Sequence, residues 1–148
     1  MAPSFQQYNN AGGKSFITTS FQNKADISGL RGAFTIDSVS KSNGQAVISS
    51  DSLIYSTDAS YPSLSPSNLL LGCDPHQFAP DAESFYKAKL TSFSGWSGPN
   101  TVGSRRISGG KVKQVFFSVE LHLFDKNPTE LKKLFDTILN KDLNWYGR

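Results

Sequence analysis

The chain has 148 residues and a net charge of +3, and this length suits one domain, residues 1–148, rather than two. Its single cysteine excludes an internal disulfide framework. No apolar run approaches the roughly 18 residues that a membrane-spanning helix needs, so we expect no membrane partner. The N-terminus lacks the basic start and apolar run of a secretory signal. We therefore expect use in the cytoplasm, or loss of a signal before this numbering begins.

The charge is distributed unevenly along the chain. Residues 1–86 carry four basic and seven acidic side chains, and residues 87–148 carry eleven and five, so their net charges are −3 and +6. The segment 87–113 contains no acid and six bases: Lys87, Lys89, Arg105, Arg106, Lys111 and Lys113. Such a cluster forms an anion-binding surface once the chain is folded, or it is a solvated loop that improves solubility.

The first half of the chain is predicted to consist of strands and loops. Residues 1–13 are polar and predict a flexible arm. Strands are predicted at 15–21, 24–30 and 33–40, and the sequence Asn43-Gly44 between the last of these and 45–48 is typical of a hairpin turn. Residues 49–67 predict a long loop, in which Leu53-Ile54-Tyr55 has the composition of a short strand.

The second half alternates more regularly. A strand interrupted by Pro75 is predicted from Leu69 to Phe78, and a second runs from Phe85 to Phe93 after a turn. In this second strand Lys87, Lys89 and Thr91 share one face. Residues 94–110, with five glycines and one proline, predict a long inter-strand loop. The last predicted strand, Lys113–Phe124, has a mostly polar face that includes Phe116, Ser118 and Glu120.

The period then changes from 2 to 3.6. Asn127, Pro128 and Glu130 have the spacing of an N-cap, a first helical residue and a capping box. The helix that follows has one apolar stripe: Leu131, Leu134, Phe135, Ile138 and Leu139. Strands followed by one helix predict an α+β fold with an antiparallel sheet. Because one helix of about four turns is too small to cover such a sheet, we expect a second copy to supply another and form a homodimer.

No constellation of residues predicts catalysis. His76 and His122 lie on different predicted strands, and Cys73 with His76 lacks a second pair of metal ligands. Cys73 and His122 have no local sequence that supports a nucleophile and base, and glycine-rich phosphate loops and nucleophile elbows are missing from the sequence. We therefore expect neither an enzyme nor a metal site nor a cofactor.

Nucleic acid is the ligand that the residues favour. Lys87 and Lys89 project from one face about 7 Å apart, and pairing of the two long strands would add Phe116 and Ser118 to that face. A base stacked on the ring, with phosphates held by the lysines, is typical of single-stranded RNA recognition. The alternative is that Phe116 is a cross-strand packing residue.

Residues 68–148 resemble the coat proteins of single-stranded RNA bacteriophages of the levivirus type. The resemblance lies in the order of the elements: strand 69–78, turn 80–83, Tyr86-Lys87-Ala88-Lys89-Leu90, the loop 94–110, Phe116-Phe117-Ser118-Val119-Glu120-Leu121, a polar turn and the helix 129–141. It implies an N-terminal hairpin, a five-stranded antiparallel sheet, and C-terminal helices that cross onto the partner in an intertwined dimer. It also implies an icosahedral shell of dimers that packages genomic RNA, in a virion assembled in the host cytoplasm.

Carried over by position, the resemblance implies three groups of residues. The RNA contacts would be Lys87, Lys89, Thr91, Phe116, Ser118 and Glu120. The helix stripe would form the dimer interface, and the loop that joins dimers would contain Trp96, Arg105 and Arg106. Two alternatives stay open: another phage structural protein, such as a tail-tube or completion factor, and a β-rich module that binds carbohydrate or protein, with Trp96 as an exposed contact.

Overall fold

The computed structural model describes residues 7–8, 11–18, 36–39, 47–48, 53–67, 71–72, 76–78, 80–91, 96–97 and 100–144. The predicted strand 24–30, the Asn43-Gly44 turn and Cys73 lie outside these residues. Part of the arm 1–13, predicted to be flexible, forms a turn here, because the Tyr8 hydroxyl donates to the Lys14 carbonyl (2.8 Å) and accepts from the Lys14 amide (3.0 Å).

The described residues contain nine strands: β1 (Ser15–Thr18), β2 (Ile36–Val39), β3 (Val47–Ile48), β4 (Leu53–Ser56), β5 (Leu71–Gly72), β6 (His76–Phe78), β7 (Ala82–Lys89), β8 (Thr101–Ser108) and β9 (Lys111–Phe117). Five of them form the main sheet, in the order β1-β9-β8-β7-β4. β1 runs parallel to β9, and the other neighbours are antiparallel. The fold is therefore α+β as predicted, but its sheet is mixed rather than antiparallel throughout.

The remaining strands form two small antiparallel sheets. β2 pairs with β6, and β3 pairs with β5. The described residues of the hairpin predicted between 33–40 and 45–48 pair instead with strands in the segment 71–78, so that hairpin is not observed among them. That segment contains two short strands where one was predicted, and Pro75 between them has no backbone amide to donate to a sheet.

β8 occupies the centre of the sheet, where a loop was predicted for 94–110. Its Gly103 faces Phe117 on one side and Tyr86 on the other. A Cβ atom at Gly103 would lie 2.8 Å from Cβ of Tyr86 and 2.9 Å from Cε1 of Phe117. Glycine at this position therefore lets large side chains on the neighbouring strands pack closely. The composition of 94–110 predicted a different role for it, that of a loop-forming residue.

We expect Gly103→Ala to lower the free energy of unfolding by about 1–3 kcal/mol, because the added methyl group overlaps the buried Phe117 ring and the Cβ atom of Tyr86. Ser108→Ala, at the exposed end of the same strand, is the matched control and should change it by less than about 0.5 kcal/mol. Urea unfolding measures both variants. An unfolding midpoint for Gly103→Ala equal to that of the wild type would contradict this packing.

A two-residue turn joins β8 to β9. Gly109 and Gly110 have φ angles of +60° and +76°, and Ser108 pairs with Lys111 across the turn. Two positive φ angles are typical of the tight turn whose twist matches a β-hairpin. These glycines therefore end one strand and start the next, rather than belonging to a long loop.

The last strand ends earlier than predicted. β9 stops at Phe117, and a single 3-10 turn, Leu121–Leu123, follows. The Thr18 hydroxyl donates to the Val119 carbonyl and accepts from the Leu121 amide (3.0 Å). This side chain of β1 therefore holds the chain where it leaves the sheet.

The C-terminal helix begins where the sequence predicts. Helix α1 (Pro128–Asp136) follows Asn127, whose side chain accepts a hydrogen bond from the Glu130 amide (3.4 Å), and a π-helical stretch, Thr137–Asp142, continues it. Leu134 and Ile138 have no solvent exposure. The helix packs on one face of the main sheet, where the ring centroids of Phe135 and Phe16 are 5.5 Å apart.

The opposite face of the sheet is also covered at its centre. Ser104 and Phe116, paired neighbours on β8 and β9, have no solvent exposure, and β6 lies against β7 and β8. The prediction of a solvated polar face is therefore wrong at Phe116 and Ser118. A hydrophobic core forms within one chain, so the burial of these residues does not depend on a second copy.

Candidate nucleic-acid interface

The predicted RNA contacts separate into exposed and buried residues. Lys89 is exposed, and Lys87 and Glu120 are partly exposed. Phe116, Ser118 and Thr91 are buried. The predicted stacking role of Phe116 is therefore wrong: the residue is paired with Ile17 of β1 and Ser104 of β8, and its side chain has no solvent exposure. The alternative weighed for this residue, cross-strand packing, is the one observed.

The end of β7 brings an unexpected aromatic residue to the lysines. β4 pairs with β7 so that Tyr55 is opposite Lys87 and Leu53 is opposite Lys89. Residues opposite each other in an antiparallel pair project to the same face, with Cβ atoms about 4.5–5.5 Å apart. Tyr55 is partly exposed. We name Tyr55, Lys87 and Lys89 the β4–β7 surface.

Sequence reasoning did not find Tyr55, although it did mark Leu53-Ile54-Tyr55 as a short strand. The sequence of this short strand does not reveal its neighbours, because the register of β4 on β7 joins residues more than 30 positions apart. Once Tyr55 is opposite Lys87, the β4–β7 surface has the combination that was expected around Phe116: an aromatic ring beside two cations.

The two arginines of the acid-free segment are neutralised by acids outside it. Arg105 forms an ion pair with Glu83, and Arg106 donates to Asp81 Oδ1 (3.1 Å) and Gln114 Oε1 (2.9 Å). Both lie on β8 rather than in a loop, so their predicted place in an inter-dimer loop is wrong. Trp96, the third residue of that group, packs partly buried against the hydrophobic core.

The four lysines of the same segment are not paired with acids among the described residues. Lys87, Lys89, Lys111 and Lys113 form no ion pair with any residue in the part of the chain that the structure describes. Lys87 is paired with Thr101 of β8, and Lys111 is paired with Ser108 of the same strand. Thr101 and Ser108 are seven residues apart, which is roughly 23 Å at the usual rise of a strand. The unneutralised charge is therefore concentrated at two opposite ends of the sheet.

The predicted dimer residues have two different environments. Leu134 and Ile138 belong to the core of their own chain, whereas Leu131, Phe135 and Leu139 are partly exposed. The dimer interface stays a prediction. Within one chain, however, the first two side chains already have their apolar partners.

A polar cluster ties the end of the helix to the sheet. The Tyr61 hydroxyl donates to Asp142 Oδ1 and accepts from Arg105 Nη1 (3.1 Å), and the Arg105 guanidinium lies 5.2 Å from the Phe85 ring centroid. Burial raises the pKa of Asp142, against the opposing effects of the Tyr61 hydrogen bond and the charge of Arg105. Burial and the neighbouring carboxylate raise the pKa of Tyr61 well above its usual range.

We expect Asp142→Asn to gain stability relative to the wild type as the pH rises from about 4 to about 7. Because the folded-state pKa of Asp142 lies above its ordinary value of 3.8, the folded protein holds a proton that the unfolded chain releases. The stability that this proton contributes is present at low pH and is lost as the pH rises through the folded pKa. Asparagine does not titrate and keeps an oxygen for Tyr61.

Thermal unfolding of both proteins across this pH range measures the difference. Asp125→Asn, at an exposed position and without an ion pair among the described residues, is the matched control. A difference between Asp142→Asn and the wild type that moves in the opposite direction with pH would contradict the raised pKa of Asp142.

No group of three or more His, Cys, Asp or Glu side chains within the described ranges is placed to hold a metal ion. In the same part of the chain, no helix is both long enough and apolar enough to cross a bilayer.

Comparison with known proteins identifies no family. No protein-family model matches the chain, and no curated protein or solved structure is significantly similar to it.

Proposed function

We propose that this chain is a viral coat subunit that assembles with copies of itself and packages single-stranded RNA, which it contacts through the β4–β7 surface. The observation that carries the proposal is the placement of Tyr55 opposite Lys87, with Lys89 two residues further along the strand. The lysines attract backbone phosphates, and the phenol ring offers a base a face on which to stack.

The binding energy expected from these contacts suits RNA packaging better than sequence-specific recognition. Stacking of one base on an aromatic ring contributes about 1–3 kcal/mol, and two lysines neutralise about two phosphates. One copy would therefore bind weakly, and many copies in a shell would bind one RNA molecule strongly. Recognition by charge and stacking needs no particular base sequence.

The architecture agrees with the coat-protein resemblance in class and differs from it in detail. Strands followed by one amphipathic helix are observed, but β1 is parallel to β9 and β8 replaces the loop. We retain dimers as the building block. Copies would associate through Leu131, Phe135 and Leu139, a partly exposed row at i, i+4 and i+8 of the helix.

Assembly beyond the dimer needs further apolar contacts. Ile107, near the β8–β9 turn, and Phe78, at the end of β6, are each 41% exposed. Large apolar side chains with this exposure are candidates for contacts between dimers in an icosahedral shell. A virion assembled in the host cytoplasm, with no cofactor, is the setting that this function implies.

Expression of the full chain, size-exclusion chromatography and negative-stain microscopy test the proposal together. We expect closed particles of megadalton size that contain RNA after nuclease treatment. Tubes or rings without RNA would instead indicate another phage structural protein. A small RNA-free oligomer would indicate a binding module, and either of these results would overturn the proposal.

A further inference from the structure

A second basic surface lies at the end of the sheet opposite the β4–β7 surface. The start of β9 and the end of the C-terminal helix enclose a groove of about 600 Å³. Four lysines line it: Lys14, Lys111, Lys113 and Lys141. We name it the lysine groove.

We infer that the lysine groove is a second binding site for the phosphate backbone of single-stranded RNA; this inference rests on the proposed function. The one acid in its lining is Asp142, whose side chain is only 5% exposed. That carboxylate accepts a hydrogen bond from Tyr61 and lies 4.0 Å from Arg105. Its charge is therefore directed to the interior, and the groove presents mainly the lysines.

The negative C-terminal end of the helix offsets only part of the positive charge of the four lysines. Lys14 Nζ donates to the Asn144 carbonyl (3.4 Å), and Lys141 lies 5.6 Å from the Tyr61 ring centroid, so these two serve the helix end as well. The C-terminus of a helix carries about half a negative charge. Lys111 and Lys113 come from β9 and have no polar partner among the described residues.

The shape of the surface favours a chain over a single small anion. A second depression, of about 520 Å³, lies along the helix and shares Asn140 and Lys141 with the groove. Its lining includes Lys132, which is paired with Asp136, and Lys133. The two depressions adjoin at Asn140 and Lys141, and compact ammonium groups spaced along them hold successive phosphates without fixing a sequence.

The mouth of the groove is open to such a chain. Gly110 lines it, and a Cβ atom at Gly110 would meet no other atom within 4 Å. The β8–β9 turn therefore leaves space beside Lys111. Because the groove and the β4–β7 surface lie at opposite ends of one sheet, a single RNA strand has two places to contact the same subunit.

Fluorescence anisotropy of the full-length protein with a fluorescein-labelled oligouridylate, over a range of NaCl concentrations, tests the inference. Each phosphate contact contributes about −0.7 to the slope of log affinity against log salt for single strands. Lys111→Gln/Lys113→Gln should therefore reduce the magnitude of the slope by about 1.4 and lower the affinity roughly tenfold or more near 0.1 M salt. Lys111→Arg/Lys113→Arg should keep the slope.

A charge-matched control separates the groove from net charge. Lys126→Gln removes one exposed lysine elsewhere and should lower the affinity less than Lys111→Gln alone. Thermal melts that match the wild type show that the variants are folded. If the two single variants weaken binding equally, the groove is not the site.

Two further results separate this inference from the proposed function. If Lys87→Gln/Lys89→Gln weakens binding and Lys111→Gln/Lys113→Gln does not, the inference fails and the proposed function stands. If the wild type does not bind the oligouridylate, both fail. If polyglutamate competes as strongly as the oligouridylate, the groove is a general site for anionic chains, proteins included, and the assignment to RNA is overturned.

Discussion

Leu134→Ala should lower the free energy of unfolding by about 2–5 kcal/mol, the range observed when a buried leucine is truncated and leaves a cavity. Leu134 has no solvent exposure in the single chain and belongs to the same core cluster as Val115 and Phe117 of β9. The loss is therefore expected whether or not copies associate.

Urea unfolding at several protein concentrations measures this effect. Leu139→Ala, on the same helical segment but partly exposed, is the matched control and should have a smaller effect. If Leu134 packs only within its own chain, the loss of stability is independent of protein concentration. A loss that depends on concentration would show that the side chain completes its core across a dimer, as the sequence predicted.

Lys87→Ala/Lys89→Ala should leave the fold intact and lower the amount of RNA retained by the purified protein. Both lysines are at the surface and have no ion pair among the described residues, so we expect a change in stability below about 0.5 kcal/mol. Loss of two phosphate contacts should weaken binding by each copy roughly tenfold or more near 0.1 M salt.

Variants of Tyr55 separate the contribution of base stacking to RNA binding from that of the lysine charges. Tyr55→Phe keeps the ring and should retain RNA, whereas Tyr55→Ala should weaken binding by about 1–3 kcal/mol, the usual contribution of one stacked base. Lys126→Ala is the control for loss of a surface charge. A Lys87→Ala/Lys89→Ala protein that keeps its full RNA content would show that the β4–β7 surface is not the contact.

The C-terminal helix was predictable because its signals are local. Asn127 and Pro128 mark its start within two residues, and Leu134 and Ile138 follow at helical spacing. The alternation around Lys87 and Lys89 predicted β7 for a similar reason, since the period of a strand is visible within a few residues.

The sequence did not predict β8 because glycine has more than one structural role. The composition of 94–110 indicated a loop, yet Gly103 gives space to Tyr86 and the Phe117 ring, and Gly109-Gly110 forms a tight turn. Only the turn-forming role has a local sequence signal, the Gly-Gly pair that favours a hairpin turn. The role of Gly103 depends on Tyr86 and Phe117, which are distant in the sequence.

The candidate site was only partly predictable for the same reason. Lys87 and Lys89 were identified from one strand, but the aromatic residue beside them is set by the register of β4. The burial of Phe116 depends on covering segments that alternation within β9 does not reveal. The ion pairs of Arg105 and Arg106 likewise involve acids that lie outside the acid-free segment.

Ultraviolet cross-linking of the full-length protein to RNA, followed by mass spectrometry of the linked peptides, tests the central claim most directly. Aromatic rings that stack on bases form such cross-links, so we predict a linked peptide with the nucleotide on Tyr55. Phe116, which is closed from solvent, should carry none. Cross-links at Phe116, or efficient cross-linking that leaves Tyr55 unmodified, would contradict the assignment of the β4–β7 surface.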